Sequence, residues 1–295
     1  MKLFKGSAVA LITPMKNHQV NLELFESLIN WHINHGTQAL IISGTTGESA
    51  TLSRQEKLQV FQRAVQVSNG KIPIIANTGT NNTIESVMLS KEAEKLGVDG
   101  ILAVTPYYNK PSQKGMFEHF KAISDSINIP IILYNVPSRT AVHLELNTIV
   151  ALAKEKNIIG IKEASADLTL VKNIVENTPR DFALYSGNDD LYLETLKLGA
   201  DGVISVVANI DPNTSQSLYE TLKNNPIEAR KIQAKLKVLN DVLYLAPNPV
   251  PVKTALHILG LDTLEMRLPL IEMDAPDLKT LSNALNTYQL ESIKL

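Results

Sequence analysis

Leu96-Gly97-Val98-Asp99-Gly100-Ile101 recurs almost unchanged as Leu198-Gly199-Ala200-Asp201-Gly202-Val203. In each copy a glycine of the kind that closes a helix is followed at once by an apolar run. Two copies of one helix-to-strand turn predict a repeating α/β fold rather than an unrelated mixture of elements. Outward from these turns, short apolar runs alternate with longer segments of helical period as far as residue 224. The runs at 8–12, 39–42, 72–76, 100–104, 129–134, 158–162, 182–185 and 202–206 are the expected strands. Eight of them predict a closed (β/α)8 TIM barrel.

The intervening segments carry helix signals. Leu22, Phe25, Leu28, Ile29, His32 and Ile33 repeat at three and four residues and form one apolar stripe. Ser53 with Glu56 predicts a capping box, and Asn82 with Glu85 a weaker relative of it. Asp211-Pro212 predicts an N-cap followed by proline at the first helical position. Past residue 224 the strands stop. One helix is expected from Asn225-Pro226, one over 250–259 closed by Gly260, and one over 276–288. The organisation is therefore a catalytic barrel over 1–224 and a C-terminal helical region over 225–295, with a proline-rich joint at 246–251. That region is expected to pack on the barrel or on a partner subunit.

Composition narrows the function classes. A net charge of -2 with no block of Lys and Arg, and sparse aromatic residues, give no support to a nucleic-acid surface. Absence of cysteine excludes disulfides, thiolate catalysis and cysteine-ligated zinc, and fits a cytoplasmic location. No run of about 18 apolar residues indicates a membrane span. The amino-terminal MKLFKGSAVALITP has two lysines before an apolar run, but the run is short and meets Thr13-Pro14. It is expected to be the first barrel strand rather than a signal peptide.

In such a barrel the chemistry lies at the carboxyl ends of the strands. Reading the residues there in order gives Thr13, Ser43-Gly44-Thr45-Thr46-Gly47-Glu48, Asn77-Thr78-Gly79, Thr105-Pro106-Tyr107-Tyr108, Tyr134-Asn135, Lys162-Glu163, Ser186-Gly187-Asn188 and Ser205. One lysine is surrounded by hydroxyls. Lys162 ends an apolar run that suits a strand buried on both faces. Burial disfavours a charged amine and leaves part of it neutral, as imine formation requires. The plainer alternative is a packed stem with its head in water.

The other candidates have plain alternatives too. The Gly44-to-Glu48 loop suits backbone N–H groups and two hydroxyls gripping a small carboxylate, or is an ordinary tight turn. It is not a P-loop, because no Lys-Ser/Thr follows Gly47. Arg139 suits a bidentate grip on a second carboxylate, or caps a loop. The tyrosines suit proton transfer, or are packed rings with satisfied hydroxyls. His32, His35 and His119 lie on helices rather than at strand ends, so no metal is expected.

With these residues in view, the chain resembles the dihydrodipicolinate synthases, within the wider Schiff-base pyruvate aldolase/lyase family that includes N-acetylneuraminate lyase. Gly44-Thr45-Thr46-Gly47-Glu48, Tyr107-Tyr108-Asn109-Lys110-Pro111, Tyr134-Asn135-Val136-Pro137-Ser138-Arg139-Thr140 and Gly160-Ile161-Lys162-Glu163 carry the likeness over the whole length. The first and last mark the superfamily. The Pro-Ser-Arg-Thr ending is narrower and resembles the synthases.

The resemblance implies condensation of pyruvate with L-aspartate 4-semialdehyde on the route to diaminopimelate and lysine, with no external cofactor beyond a covalent pyruvate imine on Lys162. It implies Thr46 at the pyruvate carboxylate and Tyr134, Thr45 and Tyr108 as the proton relay, with Tyr108 from a neighbouring subunit. Arg139 would hold the aldehyde's carboxylate, and Gly187 and Ile204 would line the pocket through backbone groups. A homotetramer built as a dimer of dimers is implied as well. A pyruvate aldolase acting on a sugar acid is the nearest alternative, and a non-catalytic keto-acid-binding barrel a further one.

Lysine-regulated relatives resemble this chain at Ser49, Ala50, Asn81, Glu85 and Tyr107, but commonly carry histidines where it has Arg54 and Lys57. Two cations beside a cationic effector lead to an expectation of weak or absent control by lysine.

Overall fold

The fold is described from a computed structural model, for residues 2–288 and 290. Eight parallel strands close into one barrel with β8 beside β1. They are β1 (Gly6–Ala10), β2 (Leu40–Ile42), β3 (Ile74–Asn77), β4 (Gly100–Val104), β5 (Ile131–Asn135), β6 (Ile158–Glu163), β7 (Ala183–Ser186) and β8 (Gly202–Ser205). All eight expected strands are present. The largest offset is in β1, expected at 8–12. Its ladder to β8 begins at Gly6, whereas the Ile12 N–H leaves the sheet for the side chain of Asn209. Apolar residues outlast the ladder there.

Alternation along the strands sorts the core into two layers. Ala8, Ala10, Ile41, Ile75, Leu102, Ile132, Tyr134, Tyr185 and Ile204 fill the barrel's interior. Val9, Leu40, Ile42, Ile74, Ile101, Leu133, Ile161, Leu184 and Val203 face the surrounding helices. Burial on both sides is why the strands read as continuous apolar runs. At the amino-terminal end Phe4 stacks on Tyr185 with centroids 4.1 Å apart, and the tyrosine hydroxyl donates to the Phe4 carbonyl at 3.0 Å. That end is sealed.

One irregularity decides which face the end of β6 presents. Ile131 pairs with Ile158, but Ile132 pairs with Gly160, so β6 carries one extra residue at Ile159. Beyond this bulge Tyr134 stands opposite Lys162, and Lys162 opposite Tyr185. A one-residue change of register turns every following side chain to the other face. The bulge therefore places Lys162 inside with Tyr134 and leaves Ile161 outside.

The helix signals are found where the sequence has them. Ser53 and Glu56 make both bonds of a capping box, a feature that contributes about 1 kcal/mol. The Asn82 side chain accepts from Ile84 and Glu85 N–H groups, and that of Asp211 from Thr214 ahead of Pro212. Gly97 and Gly199 have φ of +84° and +106°, the left-handed closure that the repeated turn requires.

Helices Pro226–Leu243, Val250–Ile258 and Ala275–Thr287 follow, and no strand occurs among the described residues after β8. We propose the boundary at 224 as one of topology only, because the later region is bonded into the barrel mouth. Arg267 donates to the Thr51 and His18 carbonyls and pairs with Glu56.

His32 is wholly buried on helix Leu22–Asn34, its Nδ1 2.8 Å from Thr37 Oγ1. Burial, with a smaller push from His35, lowers its pKa from 6.5 to about 3. Between those values the unfolded chain takes up a proton that the folded chain refuses. This contribution to stability is complete above pH 6.5 and is lost as pH falls toward 3. At about 1.4 kcal/mol per unit, acidifying from pH 7 to 4 removes on the order of 3 kcal/mol. Urea midpoints at the two pH values should show that loss, and His32→Leu should at least halve it; an equal loss in the variant contradicts the assignment.

Candidate active site

The carboxyl ends of the strands enclose a cavity of about 100 Å³ lined by Gly44, Thr45, Thr46, Tyr134, Arg139, Lys162 and Gly187, with Ala10, Ile41 and Leu102 among its apolar wall. Lys162 is 6% exposed, so its ammonium is not out in water. Its Nζ lies 4.5 Å from the centroid of the Tyr134 ring. The plain reading of a lysine snorkelling to solvent does not fit this position.

Gly187 gives Lys162 its room. A Cβ built on Gly187 would come 2.5 Å from the Ala164 Cβ and 3.1 Å from Lys162 Cε. The backbone there is pinned, the Gly187 N–H donating to the Glu163 carbonyl at 2.7 Å. Only glycine fits without a shift of Ala164 and crowding of the lysine stem.

The turn after β2 is shaped by left-handed backbone at Ser43 (φ 56°) and Glu48 (φ 54°). Thr13 Oγ1 donates to the Gly47 carbonyl at 2.8 Å, and the Glu48 N–H to the Thr45 carbonyl at 3.1 Å. Thr46 Oγ1 accepts from Asn248 Nδ2 at 3.0 Å, which leaves the threonine proton free to be donated elsewhere. Arg139 stands on the short helix Pro137–Thr140 and donates to the Asn248 carbonyl at 3.4 Å.

Asn248 thus ties the paired threonines to the arginine. Sequence reasoning read 246–251 only as a joint, and its prolines were the single signal that the chain makes a sharp return there. Asp189 was missed as well. It is buried behind the cavity, accepting from Ser205 Oγ at 2.5 Å and from the Val206 and Val207 N–H groups. Burial pushes its carboxyl up, while these bonds and the positive charge of Lys162 oppose the shift. Glu163 is likewise pushed up by burial, against hydrogen bonds from Ser165 and Asn135.

Two expected residues lie apart from the others. Ile204 belongs to the barrel interior, paired with Ala8, and Val206 rather than Ile204 lines the cavity. Tyr108 projects from the molecule at 88% exposure with φ of 73°. That backbone region is costly for a bulky side chain and persists where the position has a use.

A second cavity of about 400 Å³ shares Thr45, Tyr134, Arg139 and Asn248 with the first and extends to Ser49, Ala50, Lys57 and Tyr107. Burial lowers the Lys57 pKa, and Glu85 partly opposes the shift. Arg54 pairs with Glu92 at 2.9 Å and Glu85 at 3.5 Å. Among the described residues no three His, Asp or Glu side chains gather to hold a metal ion, and no helix is long and apolar enough to cross a membrane.

The model of the dihydrodipicolinate synthetase family matches residues 3–288. The 4-hydroxy-tetrahydrodipicolinate synthase of Clostridium novyi is 46% identical over 293 residues, 99% of each chain. Among solved structures, dihydrodipicolinate synthase from Thermotoga maritima superposes with a TM-score of 0.95 at 40% identity, covering 97% of this chain and 99% of that one. The enzyme from Aquifex aeolicus does so at 0.95 and 43%, covering 97% and 98%.

Gly187→Ala tests the packing argument. Displacing the lysine stem should slow reaction of Lys162 with a keto acid at least roughly tenfold, about 1.4 kcal/mol, with the protein still folded by circular dichroism. Wild-type labelling of Lys162 in the variant contradicts it.

Proposed function

The chain belongs to the dihydrodipicolinate synthetase family, and from that premise we propose how its residues act. It is a Schiff-base lyase of amino-acid biosynthesis that condenses pyruvate with L-aspartate 4-semialdehyde to 4-hydroxy-tetrahydrodipicolinate. The observation that carries the mechanism is the register of Lys162 with Tyr134 inside the barrel mouth, beside paired threonines and an arginine.

In this reading the neutral amine of Lys162 attacks the pyruvate carbonyl carbon, and water leaves to give an imine. The Tyr134 ring face favours the cationic imine at the nitrogen position it already covers. Thr46, whose oxygen is occupied by Asn248, donates its proton to the pyruvate carboxylate. Loss of a methyl proton gives the enamine, whose carbon adds to the aldehyde. The amine of the former aldehyde substrate then attacks the imine carbon, closes the ring and releases Lys162. Atoms balance with one water lost, and no external cofactor takes part.

Each stage moves a proton, and positioned acid–base groups are worth roughly 10² to 10⁴-fold. Tyr134 and Thr45 supply them within the chain. Tyr108 supplies the third hydroxyl by crossing into a second copy, which accounts for its exposure and left-handed backbone. Ile84, Met88 and Tyr107 are exposed hydrophobic residues too, and we assign this face to a subunit interface in a tetramer arranged as a dimer of dimers. Arg139, at the rim of both cavities, receives the aldehyde's carboxylate. Gly187 acts through the pocket's backbone, whereas Ile204, in the barrel interior off the cavity lining, is given no contact with pyruvate. The cytoplasm, where these metabolites are soluble, is the location we assign.

Borohydride treatment with pyruvate should leave a stable adduct on Lys162. In turnover the adduct-forming enzyme should consume aspartate semialdehyde and not a sugar-derived aldehyde, and Tyr108→Phe should lower turnover with the fold intact. No adduct at saturating pyruvate, or preference for the sugar aldehyde, contradicts the reading. Free lysine should inhibit weakly or not at all, because the Lys57 ammonium lines the cavity with Ser49, Ala50 and Tyr107; inhibition at micromolar lysine contradicts that expectation.

A further inference from the structure

One fully buried ion pair has no part in the chemistry described so far. Lys253 Nζ lies 2.7 Å from Glu48 Oε1, and both side chains are 0% exposed. Glu48 ends the Gly44-to-Glu48 turn, and Lys253 sits on helix Val250–Ile258, far away in the chain. Taking two charges out of water costs much of what their attraction returns, so such a pair adds little stability over an apolar one of the same shape. What it can supply is a fixed geometry.

The remaining bonds show which geometry. Lys253 also donates to the Thr13 carbonyl at 3.1 Å and to the Glu265 carbonyl at 2.5 Å. The second oxygen of Glu48 accepts from the Arg267 N–H at 3.2 Å. Thr13 in turn holds Gly47 through its hydroxyl, so one ammonium grips both sides of the turn. Glu48 has left-handed backbone, a conformation that a residue with a side chain keeps only under restraint. Its N–H reaches the Thr45 carbonyl, and Asn248, just before the same helix, holds Thr46. The helix therefore holds the threonine pair twice, once directly and once through Glu48.

We infer that Lys253 is a positioning residue for keto-acid binding: through Glu48 it fixes the turn whose Thr46 receives the pyruvate carboxylate. Its loss weakens pyruvate binding more than it slows the chemical steps at Lys162. The inference rests on the assignment of pyruvate as the first substrate.

Two variants test it in the full-length protein. Glu48→Asp keeps the charge and draws the carboxylate back by one methylene. The double variant Glu48→Gln with Lys253→Met removes both charges, so no lone ion is left buried. Pyruvate affinity by calorimetry, KM and kcat for each substrate, and Lys162 labelling with borohydride are measured beside thermal unfolding. The pyruvate Kd and KM should rise roughly fivefold in Glu48→Asp and roughly tenfold or more in the double variant, in keeping with the large effect of small misplacements. The kcat at saturating pyruvate should stay within about threefold, and KM for the aldehyde within about twofold, as expected when binding shared by the ground and transition states is lost.

Unaltered pyruvate affinity in a folded variant overturns the inference. A fall in kcat with KM unchanged, or a loss accounted for entirely by a smaller folded fraction, overturns it too. If the double variant does not fold, Glu48→Asp alone decides. Absence of a Lys162 adduct in the unmodified protein strikes the pyruvate assignment instead, whereas an adduct there with unaltered variants strikes only the role of Lys253.

Discussion

The extra residue at Ile159 is the constraint on which the candidate site depends. Without it, Tyr134 would face Ile161, and the Lys162 side chain would point among the outer helices beside apolar neighbours. With it, the amine stands in the barrel mouth, where strand ends from all round the ring deliver hydroxyls. A bulge perturbs one pairing step and redirects everything after it, which is why such features occur near active sites. Gly160 and Gly187 complete the arrangement. Gly160 lies against the Ala183 carbonyl, where a Cβ would come within 2.6 Å, and Gly187 leaves the lysine stem its space.

The barrel was legible in the sequence because its signals are local. The repeated Leu-Gly-x-Asp-Gly turn, the capping box at Ser53 and the proline after Asp211 are each written within a few adjacent residues, and each forms as expected. The face of Lys162 was not legible. Strands buried on both sides lack alternation, so the run from Ile158 to Glu163 reads the same with or without a bulge. The lysine was identified by its place at a strand end and by the hydroxyls at other ends, not by its own neighbours.

Residues brought in from far along the chain were the ones missed. Asn248, Lys253 and Arg267 meet the β2 turn from more than half the chain away, and no local pattern marks them. Their bonds alter the meaning of the C-terminal helices, which look like an appendage in sequence and serve as the back wall of the β2 turn. Asn248 links that turn to Arg139. The Thr46 and Arg139 side chains thus share one support. Tyr108 marks the opposite limit. Its motif was plain in sequence, yet within one chain its ring stands at 88% exposure, away from the cavity.

The central claim, that the register of β6 makes Lys162 the nucleophile toward a keto acid, is tested most directly by a crystal structure of the protein soaked with pyruvate. The account predicts continuous density from Lys162 Nζ to the second carbon of pyruvate, with the carboxylate within hydrogen-bonding distance of Thr46. Pyruvate bound without a covalent link, or joined to a different lysine, would contradict it.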